Sequence, residues 1–306
     1  MPFETKQLHY NGLRRLGPKL LGRSFASLSP ASRGLLESEP PPDVTISVGH
    51  RSVPVVRLLR KRSHGRMRSI HIGFPRVSPG VFDLLIATPQ YPNPDHPHVL
   101  RIPFALTRVA SGTGPYGGGE MQTLPSPRHL LIIGGPTSYW QLDPNVLRSA
   151  AARLIEDARR DGGSLLVTSS PRTPNAVMAQ IEKALTDSGV PYAIGGPGKS
   201  PSYASMLSEA DTILVTADSV AMVSDAIWTG KPLGLLPLAQ SPSGKVLGRI
   251  LDAISPGRPR YPRDLRFFWL GLSEGGLSEK PSRPSFEPNE WKRRIVERAR
   301  AVIEGL

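Results

Sequence analysis

The feature that most constrains the fold is an alternation in the second half of the chain. Short, unbroken apolar runs at 130–133 (LLII), 164–168 (SLLVT) and 211–216 (DTILVT) each end in small or hydroxyl residues, and longer segments of helical period separate them. Runs without polar alternation suit strands buried on both faces, as in a parallel sheet. Parallel neighbours need crossover helices. The chain supplies them. Asp143-Pro144 opens one that extends to about Asp161, with Leu147, Ala150, Ala151, Leu154, Ile155 and Ala158 on one face; 175–188 and 219–228 read as two more. With short strands at 192–194 and 232–236, the pattern is that of a doubly wound α/β sheet.

The first half carries the same signal less completely. Its first forty residues lack periodicity, and 38–42 (SEPPP) closes them as an extended turn. Strands are then expected at 43–48, 68–73, 82–87 and 99–102, with a helix at 52–61 whose Val55, Val56, Leu58 and Leu59 face inward. A Gly- and Pro-rich stretch at 110–126 reads as a linker. The expected division is a domain at 1–109, the linker, and a domain at 127–306 that ends in a helix at 289–303. That helix carries a stripe of Trp291, Ile295, Val296, Ala299 and Val302.

Zero Cys excludes disulfides, thiolate metal sites and a cysteine nucleophile. The formal charge is +13, of which residues 1–126 hold +9. Such an excess attracts nucleic acid, anionic lipid or phosphorylated substrates. Arg57, Arg60, Lys61, Arg62, Arg66 and Arg68 form its densest run. They have no interleaved aromatics and no RNA-binding or zinc-finger signature, so nucleic acid is not expected as a partner. An anionic membrane surface and a solvated helix face are the two readings left. No apolar run reaches membrane-spanning length and the first residues lack a signal-peptide core, so the expected location is cytoplasmic, peripheral to the inner membrane.

In an open α/β sheet, ligands bind beyond the carboxyl ends of the strands. Three loops there carry polar groups. Gly134-Gly135-Pro136-Thr137 offers backbone amides with no Cβ in the way, or is a plain tight turn. Ser170, Arg172 and Thr173 supply hydroxyls and a guanidinium, or cap the next helix. Asp218, Ser219 and Val220 open the helix at 219–228, whose N-terminus suits a phosphate, with Asp225 two turns in for a ribose diol. The plain reading makes Asp218 or Ser219 a cap and leaves Asp225 solvated. His50 follows a strand and is the candidate catalytic base, against an ordinary loop histidine. His71, inside a strand, reads as packed. His96 and His98 lie in a proline-rich loop, and no metal site is expected.

Taken together, 131–137 (LIIGGPT), 168–174 (TSSPRTP) and 216–232 resemble the mitochondrial fission family named for elongated mitochondria, with its bacterial relatives. The segment 212–232 alone also resembles the nucleotide-sugar loop of GT-B glycosyltransferases and UDP-sugar epimerases. The resemblance implies two Rossmann-like domains with a cleft between them. It implies a nucleotide-diphosphate sugar as substrate, with no separate cofactor, lined by Gly134, Gly135, Thr137, Ser170, Arg172, Thr173, Asp218, Ser219, Val220 and Asp225. Three activities follow from it: a glycosyltransferase with a lipid-linked or envelope glycan acceptor, an epimerase, or a non-enzymatic adaptor at a membrane surface. Asp225 stands where the family has Glu, and Pro171 where it has Arg. The chain starts near the family's Leu8-His9-Tyr10 segment, so the first domain is expected to lack its first βα unit.

Overall fold

The computed structural model of the protein describes residues 3–107, 121, 123–196, 200–254 and 265–305. The chain forms two compact units, Met1–Ile102 with Trp291–Leu306, and Pro103–Glu290. Among the described residues no helix is long and apolar enough to cross a membrane.

The first unit contains α1 (Pro18–Leu21), α2 (Pro30–Ser38), β1 (Val44–Val48), α3 (Val53–Arg62), β2 (Arg68–Ile72), β3 (Leu84–Ala87) and β4 (Val99–Arg101). Its sheet runs β1-β2-β3-β4, parallel throughout. Val53, Val55, Val56 and Leu59 of α3 pack with Phe25, Leu28, Leu36, Met67 and Phe82 in one core cluster. Each such side chain contributes about 1.5–3 kcal/mol by leaving water.

In the second unit the elements are β5 (Arg128–Ile133), β6 (Trp140–Gln141), α4 (Pro144–Asp161), β7 (Ser164–Ser169), α5 (Asn175–Ser188), β8 (Tyr192–Gly195), α6 (Tyr203–Glu209), β9 (Thr212–Thr216), α7 (Val220–Trp228), β10 (Leu233–Leu236), β11 (Ala239–Gln240), α8 (Pro242–Ile254) and α9 (Leu265–Glu274). A final helix, α10 (Pro288–Glu304), crosses the boundary between the units. The main sheet is parallel in the order β10-β9-β5-β7-β8. The chain builds outward from β5 through β7 to β8, then returns to the other side of β5 for β9. That reversal lies between β5 and β9, where open sheets of this kind bind their ligands. The face of α4 expected from its periodicity is buried against Leu131, Ile133, Leu165 and Val167. Asp143 caps α4 by accepting from Asn145 N–H at 2.8 Å, and Gly162 ends it in the left-handed region at φ 68°.

The structure differs from the sequence reading in three places. Residues 241–285, rich in Pro, Gly and Arg and assigned no element from the sequence, hold α8 and α9. The first forty residues hold α2, capped by Ser29. The unit boundary falls at Ile102/Pro103, and α10 from Trp291 groups with the first unit instead of ending the second. The reason for the last is visible in its contacts: Arg68 of β2 donates to Gly305 O, and Arg298 donates to Pro97 O at 3.0 Å. Most of the 110–126 linker lies outside the described residues.

Candidate functional site

The site is built from the loops that follow β5, β7 and β9. Thr216, the last residue of β9, accepts from Gly134 N–H at 2.7 Å and donates to Asp218 Oδ1 at 2.7 Å. Asp218 Oδ2 accepts from Gly135 N–H at 3.0 Å and from Arg172 Nη2 at 2.8 Å. Arg172 also donates to the carbonyls of Gly135 and Pro136. The hydroxyl of Thr173 lies 2.8 Å from Ile133 O and 2.7 Å from Gly134 O, and accepts from Ser170 N–H. Six of the expected residues, Gly134, Gly135, Ser170, Arg172, Thr173 and Asp218, are therefore drawn into one network.

That network corrects the reason for the glycines. A Cβ on Gly134 would lie 2.0 Å from Asp218 Oδ1, and one on Gly135 would lie 2.3 Å from Arg172 O. The space left by the missing side chains is occupied by the protein's own carboxylate and backbone. The Asp218 side chain is 1% exposed and Arg172 is 45% exposed. A buried carboxylate needs such pairing, since isolated ionic groups are costly away from water. Asp218 thus organises the loop from inside, while Arg172 presents its remaining surface to solvent.

The remaining second-unit residues behave differently. Thr137 accepts from Trp140 N–H at 3.1 Å and shapes its own turn. Ser219 caps α7 through Met222 N–H at 3.4 Å, placing Val220 in the first helical turn beside the switch point. Asp225 accepts from Tyr203 OH at 3.1 Å, outside the Asp218 network. Burial raises the Asp225 pKa above the usual carboxylate range, opposed by Thr107 and then by the bond from Tyr203. The Tyr203 hydroxyl is itself pushed upward by burial and by Asp225. The solvated Asp225 of the plain reading is not what the structure holds.

Several neighbours were not marked by the sequence. Ser241 and Ser243 at the start of α8 both donate to Ser138 O, at 2.8 and 2.9 Å, and a Cβ on Gly244 would meet Tyr139 O. Trp269 of α9 donates to Ala217 O at 2.8 Å and packs edge-on against Trp140 at 4.5 Å. The loops of β5 and β9 are thereby backed by α8 and α9. The Ser241-Pro242-Ser243 run was the available signal, since hydroxyls ahead of an apolar period mark a helix start.

In the first unit His50 sits in a tight turn after β1, half-buried. Its pKa is lowered by burial and then by Arg76 and Arg51, all of which disfavour the charged ring. His71 is fully buried, stacks on Phe82 at 4.7 Å and has Nδ1 2.8 Å from Ser47 Oγ. Burial, with His50 nearby, lowers its pKa to about 4. His98 Nδ1 meets Phe82 O at 2.6 Å, and the His96 ring packs edge-on to it.

The basic run is largely tied down. Arg57, Arg60, Arg62, Arg66 and Arg68 each donate to a backbone carbonyl, of Gly22, Val81, Leu36, Ser63 and Gly305 respectively. Arg60 also pairs with Asp83 at 3.0 Å. Lys61 makes no hydrogen bond among the described residues. The run stitches α3 to its surroundings more than it forms one cationic face.

The curated mitochondrial fission protein ELM1 of Arabidopsis thaliana is 26% identical over 221 residues, covering 63% of this chain. The chain spans about half, 51%, of that relative's length. Among solved structures, a provisional UDP-N-acetylglucosamine 2-epimerase from Listeria monocytogenes superposes over 90% of this chain and 79% of its own, at TM-score 0.51 and 11% identity. Acinetobacter baumannii MurG covers 84% of this chain and 65% of its own at TM-score 0.40 and 16% identity. The fold is α/β with parallel sheets, like that of the Listeria monocytogenes protein. The family model described as mitochondrial fission ELM1 matches residues 1–253, so this chain belongs to that family.

Proposed function

We propose that the second unit binds the diphosphate of a nucleotide sugar at the β5–β9 switch point, and that the protein is a GT-B-type glycosyltransferase. The observation that carries the reading is the meeting of the α7 N-terminus with the Arg172-bearing loop where strand order reverses. In this reading the amides of Ser219 and Val220 and the exposed part of Arg172 hold the diphosphate. Asp225 exchanges its bond to Tyr203 for the ribose diol. An acceptor hydroxyl forms the new bond to the anomeric carbon as the bond to the diphosphate oxygen breaks. His50 takes the hydroxyl proton, and α7 stabilises the charge left on the diphosphate. The acceptor is lipid-linked or an envelope glycan at the cytoplasmic membrane face.

A second reading is a non-enzymatic adaptor that keeps the fold. It is favoured by Asp218, whose carboxylate fills the glycine loop and occupies one edge of Arg172. Thermal shift with UDP, GDP, CDP and their sugars separates the two. Ligand that binds only the native state raises the melting temperature. A rise with one nucleotide family, lost in Arg172→Ala, is expected; no rise with any of them would leave the adaptor reading. Sedimentation with anionic and neutral liposomes tests the membrane face, and equal or absent binding to both would remove it.

A further inference from the structure

α8 is turned opposite to an ordinary surface helix, which points its apolar stripe at the core and its charge at water. Here glycines face inward. A Cβ on the buried Gly244 would lie 2.3 Å from Tyr139 O, and one on Gly248 would meet the Gln240 side chain at 3.5 Å. Val246, Ile250 and Ile254, four residues apart and so on one face, are 60%, 51% and 71% exposed. They form a stripe about 12 Å long.

That orientation is held at both ends of the helix. Ser241 and Ser243 donate to Ser138 O, the Ser241 hydroxyl accepts from Gly244 N–H at 3.0 Å, and Asp252 pairs with Arg266 of α9 at 3.5 Å. Rotation cannot bury the stripe, because Val246 or Ile250 would then stand where Gly244 has no room even for a Cβ. The charge beside the stripe is of one sign. At about 100° per residue Lys245 and Arg249 lie along one border of it. The chain continues at 255–263 as SPGRPRYPR, so 242–263 holds five cations against one carboxylate, and that one, Asp252, is already paired.

We propose that α8 lies in the surface of an anionic bilayer, with Val246, Ile250 and Ile254 among the headgroups and Lys245 and Arg249 against lipid phosphates. An apolar face bordered by Lys and Arg, on a helix of 13 residues that is too short to span, is the pattern of helices that rest in the membrane plane. The inference rests on the membrane-face part of the function proposed above, and it moves that face away from α3, whose arginines are held by carbonyls of the fold. It also gives the acceptor a route. Ser241 and Ser243 hold Ser138 in the loop after β5, so a bilayer under α8 lies beside the candidate nucleotide loop. A second copy laid antiparallel on α8 fits less well, since it brings both rows of cations to one edge of the contact.

Co-sedimentation with vesicles of phosphatidylcholine, alone and mixed with phosphatidylglycerol, tests this. The parent is expected to bind the mixed vesicles more tightly than the neutral ones, and less at high salt. Ile250→Glu should weaken that binding about tenfold or more, and Lys245→Gln and Arg249→Gln about fivefold each. All three side chains are exposed, so native circular dichroism is expected; Ile254→Glu serves if Ile250→Glu fails to fold. Because the chain has no cysteine, insertion can be read at one position. An environment-sensitive dye on Ile250→Cys should shift to the blue with mixed vesicles, while the same dye on Lys183→Cys of α5, whose native side chain is 77% exposed, should not. A parent that binds neither vesicle would remove the membrane face altogether. Vesicle binding that the α8 variants leave unchanged would keep the membrane face and overturn its assignment to α8. A dye shift that follows protein concentration and not vesicles would give the stripe to a second copy and overturn the proposal.

Discussion

Two clusters of buried polar groups, one at the carboxyl edge of each parallel sheet, differ in how fully they are paired. In the second unit the buried Asp218 accepts from Thr216, Gly135 and Arg172, and all three elements that meet there are locked to one carboxylate. In the first unit the buried His71 Nε2, Gln90 Oε1 and Asn93 Nδ2 have no hydrogen-bond partner among the described residues. A saturated network fixes one arrangement of its loops, and removing its hub exposes every partner at once. An unsaturated one already carries its penalty, so losing a member changes little until its charge changes.

Asp218→Ala tests the saturated side and has the largest expected effect. It strands the Gly135 N–H and the Thr216 hydroxyl in a nearly dry site. Leaving the buried Gly135 N–H and Thr216 hydroxyl unpaired costs about 1–3 kcal/mol each, while Arg172, 45% exposed, can turn to water. Urea unfolding should show that loss; a change below about 1 kcal/mol would mean that water replaces the carboxylate and that the network does not organise the loop.

His71 tests the unsaturated side through pH. Its unfolded pKa is near 6.5 and its folded pKa about 4, so the unfolded chain binds the proton first as pH falls. The neutral ring costs nothing above pH 6.5, and stability is lost progressively from there down to about pH 4. The full effect is about 3 kcal/mol on the linkage scale. His71→Phe, beside Phe82, should differ little from the parent above pH 6.5 and should flatten that part of the pH profile. Equal slopes in the two proteins would assign the acid sensitivity elsewhere.

The same contrast explains what could be read from the chain in advance. Strands such as 130–133 and 211–216 were legible because burial on both faces leaves an uninterrupted apolar run. Gly134 and Gly135 were legible as special positions but not in their purpose. Nothing local says that Asp218, more than eighty residues later, fills the space a Cβ would take. Trp140 and Trp269 meet from elements 129 residues apart, and α8 carries Gly244 and Gly248 inside a helix, which hides it among turn residues. The basic run from Arg57 was visible as charge, whereas its bonds to scattered carbonyls depend on how α2, α3 and β3 pack.

Asp225 lies between the two extremes, and its substitution has the smallest expected effect. Burial holds its pKa above the unfolded value, so folding favours the neutral acid and stability rises as pH drops through that range. Asn mimics the neutral form and its Oδ1 can still accept from Tyr203 OH. Asp225→Asn should therefore leave unfolding free energy at neutral pH within about 1 kcal/mol of the parent, on the gaining side. A clear loss would show that the carboxylate's charge is compensated in the fold, as that of Asp218 is. If stability holds while nucleotide-induced thermal shift falls, the residue acts on ligand and not on packing, which is the outcome the glycosyltransferase reading requires.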